Sequence, residues 1–218
     1  MFKNTSKSEQ TRERILKTAF QVFQEKGFEK ATLRDIAATN RMSLGAVYYY
    51  FKSKEELLLA FYEQINQQVG KLYRAQGQPA TPKGRFEKFM HLKLEVLQPH
   101  RRLLRIILKE AVDPESPLCP LAAASRPTLN ASLELFREVA GEAGRALWIA
   151  HMALLGLWLH DRSQNQQLTR RAVGWVGSLL GWGALLAKVP GTGALRKTMQ
   201  ALIDELIGDE REDHDRAN

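Results

Sequence analysis

The sequence predicts an all-α protein, with a small N-terminal helical unit joined to a larger helical body. Three observations carry this reading. Apolar residues recur with the helical period along most of the chain, and few stretches alternate as strands do. Three helix starts of the form Ser/Thr-x-x-Asp/Glu fall within the first quarter, at Ser6/Glu9, Thr32/Asp35 and Ser53/Glu56. Proline and glycine gather at 76–83 (QGQPATPK) and 113–120 (DPESPLCP), where they interrupt helical runs.

Taken in order, the first helix opens at Ser6 and turns an apolar stripe inward through Ile15, Ala19, Val22 and Phe23, with Leu16 and Phe20 beside it. Gly27 stops it, glycine being the residue best able to take the left-handed conformation beyond a helix end. A second helix runs from Thr32 to about Asn40, with Leu33, Ile36 and Ala37 inward, and a third covers 44–51 behind Ser43. Ser53 opens a long helix through Leu57, Leu58, Phe61, Ile65 and Val69. Helical period resumes near residue 84 with Phe86, Phe89, Met90, Leu94 and Leu97 and stops near Pro99. A basic stretch follows, in which Arg101, Arg102, Arg105 and Lys109 form a solvated face. Further helices are expected over 126–142, 144–161, 168–188 and 193–207. The domain reading is 8–69, then 70–208, then a charged tail at 209–218.

Composition narrows the function classes. Hydrophobic residues make up 44% and charged residues 26% of 218, which excludes wholesale disorder. A net charge of +8 favours an anionic partner, either nucleic acid or an anionic membrane surface. A single cysteine, Cys119, permits no intrachain disulfide and points to a reducing compartment. The polar N-terminus has no apolar signal core, so the expected location is cytoplasmic. The uncharged run 172–187 is too short and glycine-rich to span a bilayer and reads as a packing helix. No phosphate-binding glycine loop, nucleophile elbow or HExxH occurs, and no histidine pairing has metal-ligand spacing. No enzyme activity, metal or cofactor is therefore expected.

The quartet Tyr48, Tyr49, Tyr50 and Phe51 sets the functional question. Successive helical residues point about 100° apart, so one core cannot take four adjacent rings. Some must face outward. The two short helices, 32–40 and 43–51, have the dimensions of a helix-turn-helix, with Ala37 and Val47 placed where they cross. In such a unit the N-terminal end of the second helix enters the DNA major groove. Here that end is Ser43, Leu44, Gly45 and Ala46, small side chains plus one apolar contact for a thymine methyl. The tyrosines then lie beside flanking phosphates, and Lys54 adds a charge near helix-start amides.

At these residues the chain resembles a known family. The run 11–58, from T-R-E-R-I-L-x-x-A-F through A-T-L-R-D-I-A to Y-Y-Y-F-K-S-K-E-E-L-L, is similar to the DNA-binding domain of TetR-family transcriptional regulators. Carried over by position, the resemblance puts DNA contacts on Thr32, Arg34, Ser43, Leu44, Gly45, Ala46, Tyr48, Tyr49, Tyr50 and Lys54. One departure stands out: Asn40-Arg41 replaces the usual Ala-Gly of the turn, and since Asn tolerates the left-handed conformation better than most residues, a slightly different turn geometry is expected.

The resemblance implies a helical C-terminal domain that binds a small molecule and dimerises. It also implies a homodimeric repressor released from a palindromic operator. The interface is expected over 145–159 and 168–187 as a four-helix bundle carrying Trp158, Gly174, Trp175, Ser178, Gly181 and Trp182. Phe86, Phe89, His91, Trp148, His151 and Met152 are the candidate pocket residues, against the plainer reading that they are core. The phrase WLHDRS, 158–163, resembles a C-terminal feature of some such regulators. The competing reading is a basic helical module for membrane surface or partner helices, resting on the run 172–187.

Overall fold

The computed structural model describes residues 6–186 and 193–207; for Ile106, 181–186, Leu195 and Arg196 only the backbone is described. Among the described residues the chain is all-helical: α1 Lys7–Lys26, α2 Leu33–Thr39, α3 Leu44–Tyr50, α4 Lys54–Ala75, α5 Pro82–Leu97, α6 Arg101–Val112, α7 Arg126–Ala140, α8 Gly144–His160, α9 Gln167–Leu186 and α10 Gly193–Ile207. The expected helix 126–142 ends at Ala140 and passes into a 3-10 turn at Gly141–Ala143, while residues 187–188 of the expected helix 168–188 and the tail 209–218 lie outside the described residues.

Local sequence explains these boundaries. Ser6 and Thr32 each make a full capping box, their hydroxyls accepting from the Glu9 and Asp35 amides while those carboxylates accept from the cap residues' own amides. Gly27 closes α1 at φ 80°, with its N–H donated to the Phe23 carbonyl. The start of α4 differs from expectation. Ser53 Oγ accepts from the Glu56 amide, but the Glu56 carboxylate reaches one residue further back, to the Lys52 N–H at 2.6 Å.

The described residues divide into two compact units. One comprises Met1–Gln67 and Leu97–Leu129, the other Gln68–Val96 and Asn130–Asn218. The sequence-based division at residue 70 keeps 97–129 with the second domain, whereas packing groups it with the first. The core of the first unit holds Ile15, Ala19, Phe23, Ile36, Val47, Leu57 and Leu58, none more than 3% exposed. Phe20 and Phe61 stack at 4.2 Å, and the His100 ring stands edge-on to both, which fastens the 97–129 segment to α1 and α4.

In the second unit, Val69, Phe86, Phe89, Met90, Phe136, Trp158 and Val173 are fully buried. Gly144 opens α8 where a Cβ would come within 2.8 Å of the Phe136 carbonyl, so only glycine allows the α7–α8 corner. Asp161 closes the α8–α9 corner. Its carboxylate accepts from the amides and hydroxyls of Ser163 and Thr169, between 2.6 and 2.8 Å, and these bonds hold its pKa well below the usual carboxylate range. WLHDRS is thus the sequence of a helix corner. No helix among the described residues is long and apolar enough to cross a membrane.

Candidate nucleic-acid interface

α2 and α3 pack on each other, and Ala37 and Val47, the two residues placed at their crossing by sequence, are both buried. The turn between them places its left-handed residue second. Arg41 takes the left-handed conformation at φ 54°, while Asn40 stays right-handed at φ −78°. The reason is the Asn40 side chain, whose Nδ2 donates to the Ile36 carbonyl at 3.0 Å and whose Oδ1 accepts from Thr18 Oγ1 at 3.1 Å. Asn40 therefore serves as a bolt between α1 and α2, and the chain reversal falls on the next residue. The Arg41 and Met42 amides then donate to the Ala38 and Ala37 carbonyls and complete the turn.

α3 fully buries a single residue, Val47, and leaves Gly45, Tyr48 and Tyr49 exposed. Ser43 caps its start by accepting from the Ala46 amide at 3.2 Å. Ser43 and Gly45 are exposed, Leu44 and Ala46 half-buried. A Cβ on Gly45 would meet nothing within 4 Å, so internal packing does not demand glycine there. What the missing side chain gives is room in front of the helix.

The aromatic quartet divides as its helical spacing requires. Phe51 is 2% exposed with the Arg12 guanidinium 5.0 Å above its ring. Tyr48 is 44% and Tyr49 75% exposed, whereas Tyr50 is half-buried. Tyr50 stands edge-on to Tyr49 at 5.0 Å, and its hydroxyl accepts from Ser8 Oγ at 3.4 Å. Two rings thus point outward, Tyr49 with Tyr50 against it, a third is tied to α1, and the fourth is core.

Arg34 is exposed on α2. Thr32 is exposed too, but its hydroxyl both donates to the Asp35 carboxylate at 2.7 Å and caps α2. Lys54 is half-buried, its ammonium donating to the Phe28 and Glu29 carbonyls at 2.9 and 3.1 Å and lying 4.5 Å from the Phe28 ring. It fastens the α1–α2 loop to the start of α4. Two cations that sequence reading left out flank α3 closely: exposed Arg41 before its cap and exposed Lys52 after its end. Their signal was position alone, a basic residue at each end of a helix whose outer face is neutral.

The residues proposed for a pocket and an interface lie in the second unit. Phe86, Phe89, Trp148 and His151 are buried, Met152 is half-buried, and His91 faces outward away from them. Lys93, absent from the expected set, is 5% exposed with its ammonium 5.7 Å from the Phe136 ring centre. Its spacing from Phe86, Met90 and Leu97 marked it as inward-facing, although its type argued against burial.

Of the interface candidates, Trp175 is 71% exposed and shares an apolar stripe with Leu179 and Leu168. Trp158 differs: it is fully buried within the unit, its Nε1 donating to Gln166 Oε1 at 2.8 Å, so it supports α8 from inside. Ser178 donates back to the Gly174 carbonyl, and Gly174 and Gly177 lie against Glu87 of α5. The small-residue stripe therefore admits a helix of the same subunit. The side chains of Gly181 and Trp182 lie outside the described residues.

Comparison with known proteins agrees with this geometry. The family model "Bacterial regulatory proteins, tetR family" matches residues 15–61, from within α1 to the first third of α4. The chain is 34% identical over 110 residues to the "Uncharacterized HTH-type transcriptional regulator YerO" of Bacillus subtilis, covering 48% of this chain and 37% of that protein. It is 30% identical over 111 residues to the "HTH-type transcriptional regulator AcrR" of Shigella flexneri, covering 49% of this chain and 51% of that protein. The matches thus span about half or less of these curated relatives. A crystal structure of a TetR transcriptional regulator from Nitrosomonas europaea has the same fold, with a TM-score of 0.63 over 79% of this chain and 98% of that one, at 20% identity.

Proposed function

We propose that this chain, whose residues 15–61 match the tetR-family model, is a DNA-binding transcriptional regulator of that family and a homodimeric repressor that a small-molecule effector releases from a palindromic operator. The observation that carries the reading is α3, a helix with one buried residue that leaves a small-residue tip and two tyrosines exposed. In a major groove, Ser43, Leu44, Gly45 and Ala46 approach base edges, and Leu44 provides an apolar contact for a thymine methyl. Tyr48 and Tyr49 donate hydroxyl hydrogens to flanking phosphates, and Arg34, Arg41 and Lys52 add charge there. Thr32 and Lys54 act behind this surface, by fixing α2 and the α1–α2 loop.

A single helix-turn-helix reads a short half-site, and two-fold pairing doubles the contact and sets half-sites about one helical turn, roughly 34 Å, apart. The exposed stripe Leu168, Trp175 and Leu179 on α9 is the surface that supports pairing. An effector site in the second unit, cytoplasmic location and repression complete the proposal. Selection of duplexes from a random library by the full chain tests it. The expected product is an inverted repeat of short half-sites. Recovery without enrichment of any sequence would overturn it.

A further inference from the structure

Of the chain's five histidines, only His100 falls in the first unit, residues 1–67 and 97–129. It ends the 3-10 turn Gln98–His100 and stands immediately before α6, where the 97–129 segment returns to α1 and α4. Its ring is edge-on to Phe20 of α1 at 5.7 Å and to Phe61 of α4 at 4.8 Å. The residue is half-buried, but its Nδ1 is fully buried and has no hydrogen-bond partner. A neutral imidazole fits such a place, because one of its nitrogens can stay a bare acceptor. An imidazolium carries N–H on both nitrogens and would leave a charged donor unmet there.

The surrounding charges make no provision for that proton. Within one turn of Phe20 on α1 the sole charged residue is Lys17. Within one turn of Phe61 on α4 the titratable residues are Glu63, which is exposed, and Tyr62, whose phenol burial pushes up to about 12. The first turn of α6 brings Arg101 and Arg102 and no acid, and its amides add the positive end of a helix. Burial accordingly lowers the imidazole below its ordinary value. The seam also lies close to the parts that set α3: Thr18 of α1 donates to Asn40 before the turn, and Lys54 of α4 holds the α1–α2 loop.

We propose that His100 is a proton-operated latch, which when neutral fastens the 97–129 segment to α1 and α4 and keeps α3 in its binding position, and when protonated leaves the Phe20–Phe61 seam and weakens DNA binding. The effector here is the proton, and only the DNA readout rests on the reading above. A histidine whose folded pKa lies below its unfolded value, about 6.5, contributes its full stability above that value and loses it as pH falls from there through the folded one. The response is therefore expected as pH falls from about 7 to 5. By linkage, DNA that selects the latched form lowers the His100 pKa in return.

NMR titration of the histidine rings in the full chain, free and with labelled DNA flanking its own gene, tests this together with anisotropy across the same pH range. His100 should titrate below the ordinary histidine value, and lower still with DNA bound. The affinity of the native chain should fall roughly fivefold or more between about pH 7.5 and 5.5. His100→Phe keeps a ring in the seam and takes no proton, so its affinity should stay nearly flat. His100→Gln, neutral throughout, should be flat too and weaker at every pH. The other four histidines are common to all three chains, so the difference between them belongs to His100.

A His100 that titrates at or above the ordinary value would overturn the latch, as would a native chain whose affinity falls no further than that of His100→Phe. Should His100→Phe fail to fold, the native titration and His100→Gln decide the matter. A chain that binds no DNA at any pH contradicts the DNA reading and leaves the latch to melting temperature. The native chain should then lose stability relative to either variant as pH falls below about 6.5, and a constant difference would overturn it.

Discussion

Arg41 is the residue at which fold and function pull apart. It occupies φ 54°, a conformation that costs a side-chain-bearing residue roughly 1–2 kcal/mol and that glycine adopts freely. Arg41→Gly should therefore raise stability by about 1 kcal/mol in urea unfolding, while weakening DNA binding on all sequences alike and lowering the salt slope by about 1. Unchanged stability would show that the turn is unstrained. Unchanged binding would remove Arg41 from the interface. Lys54 is the converse case, a cation at the edge of the binding surface whose hydrogens are engaged by the Phe28 and Glu29 carbonyls. Lys54→Ala should lower stability by about 1–3 kcal/mol and leave the salt slope of DNA binding as it is. A slope that falls by about 1 with stability retained would return Lys54 to the phosphate contacts.

At the scale of elements, capping decides where the short helices begin. Asp35 caps α2 and receives the Lys26 ammonium at 2.6 Å, and that hydrogen bond with those from Thr32 lowers its pKa to about 2. A carboxyl whose pKa is depressed in the folded state contributes stability above its unfolded value, and loses that contribution as pH falls through the folded one. Asp35→Asn should therefore be less stable than the native chain at pH 5 and above, with the difference closing between pH 4 and 2. A difference that persists at pH 2 would mean the charge is not its source.

These caps were legible because donor and acceptor are three residues apart. The Ala37–Val47 crossing and the outward tyrosines were legible for a similar reason, since helical spacing alone sets them. Partners distant in sequence were not. Lys54 meets carbonyls 25 and 26 residues away, and Asn40 accepts from Thr18 of α1. Trp158 and Trp175 read alike as apolar residues of late helices, yet one is buried beside Gln166 and the other exposed. Lys93 was hidden by its type, although the Phe86–Met90–Lys93–Leu97 spacing placed it inward.

For the whole molecule, the proposed assembly depends on a surface that the single chain leaves open. Leu168, Trp175 and Leu179 are 49–71% exposed on one side of α9, while Gly174 and Gly177 turn toward α5. A paired Trp175→Arg and Leu179→Arg substitution should give monomers in sedimentation velocity with the melting transition largely retained, and should weaken binding to a two-half-site duplex far more than to a single half-site. A double variant that still sediments as a dimer would move the interface off α9. The central claim, sequence-specific DNA recognition through α3, is tested most directly by fluorescence anisotropy. The full chain is titrated into labelled DNA flanking its own gene and into a scrambled duplex of the same length, across a salt series. The account predicts binding to the flanking DNA roughly a thousandfold or more tighter than to the scrambled duplex at physiological salt. Equal binding to both, falling together as salt rises, would contradict it.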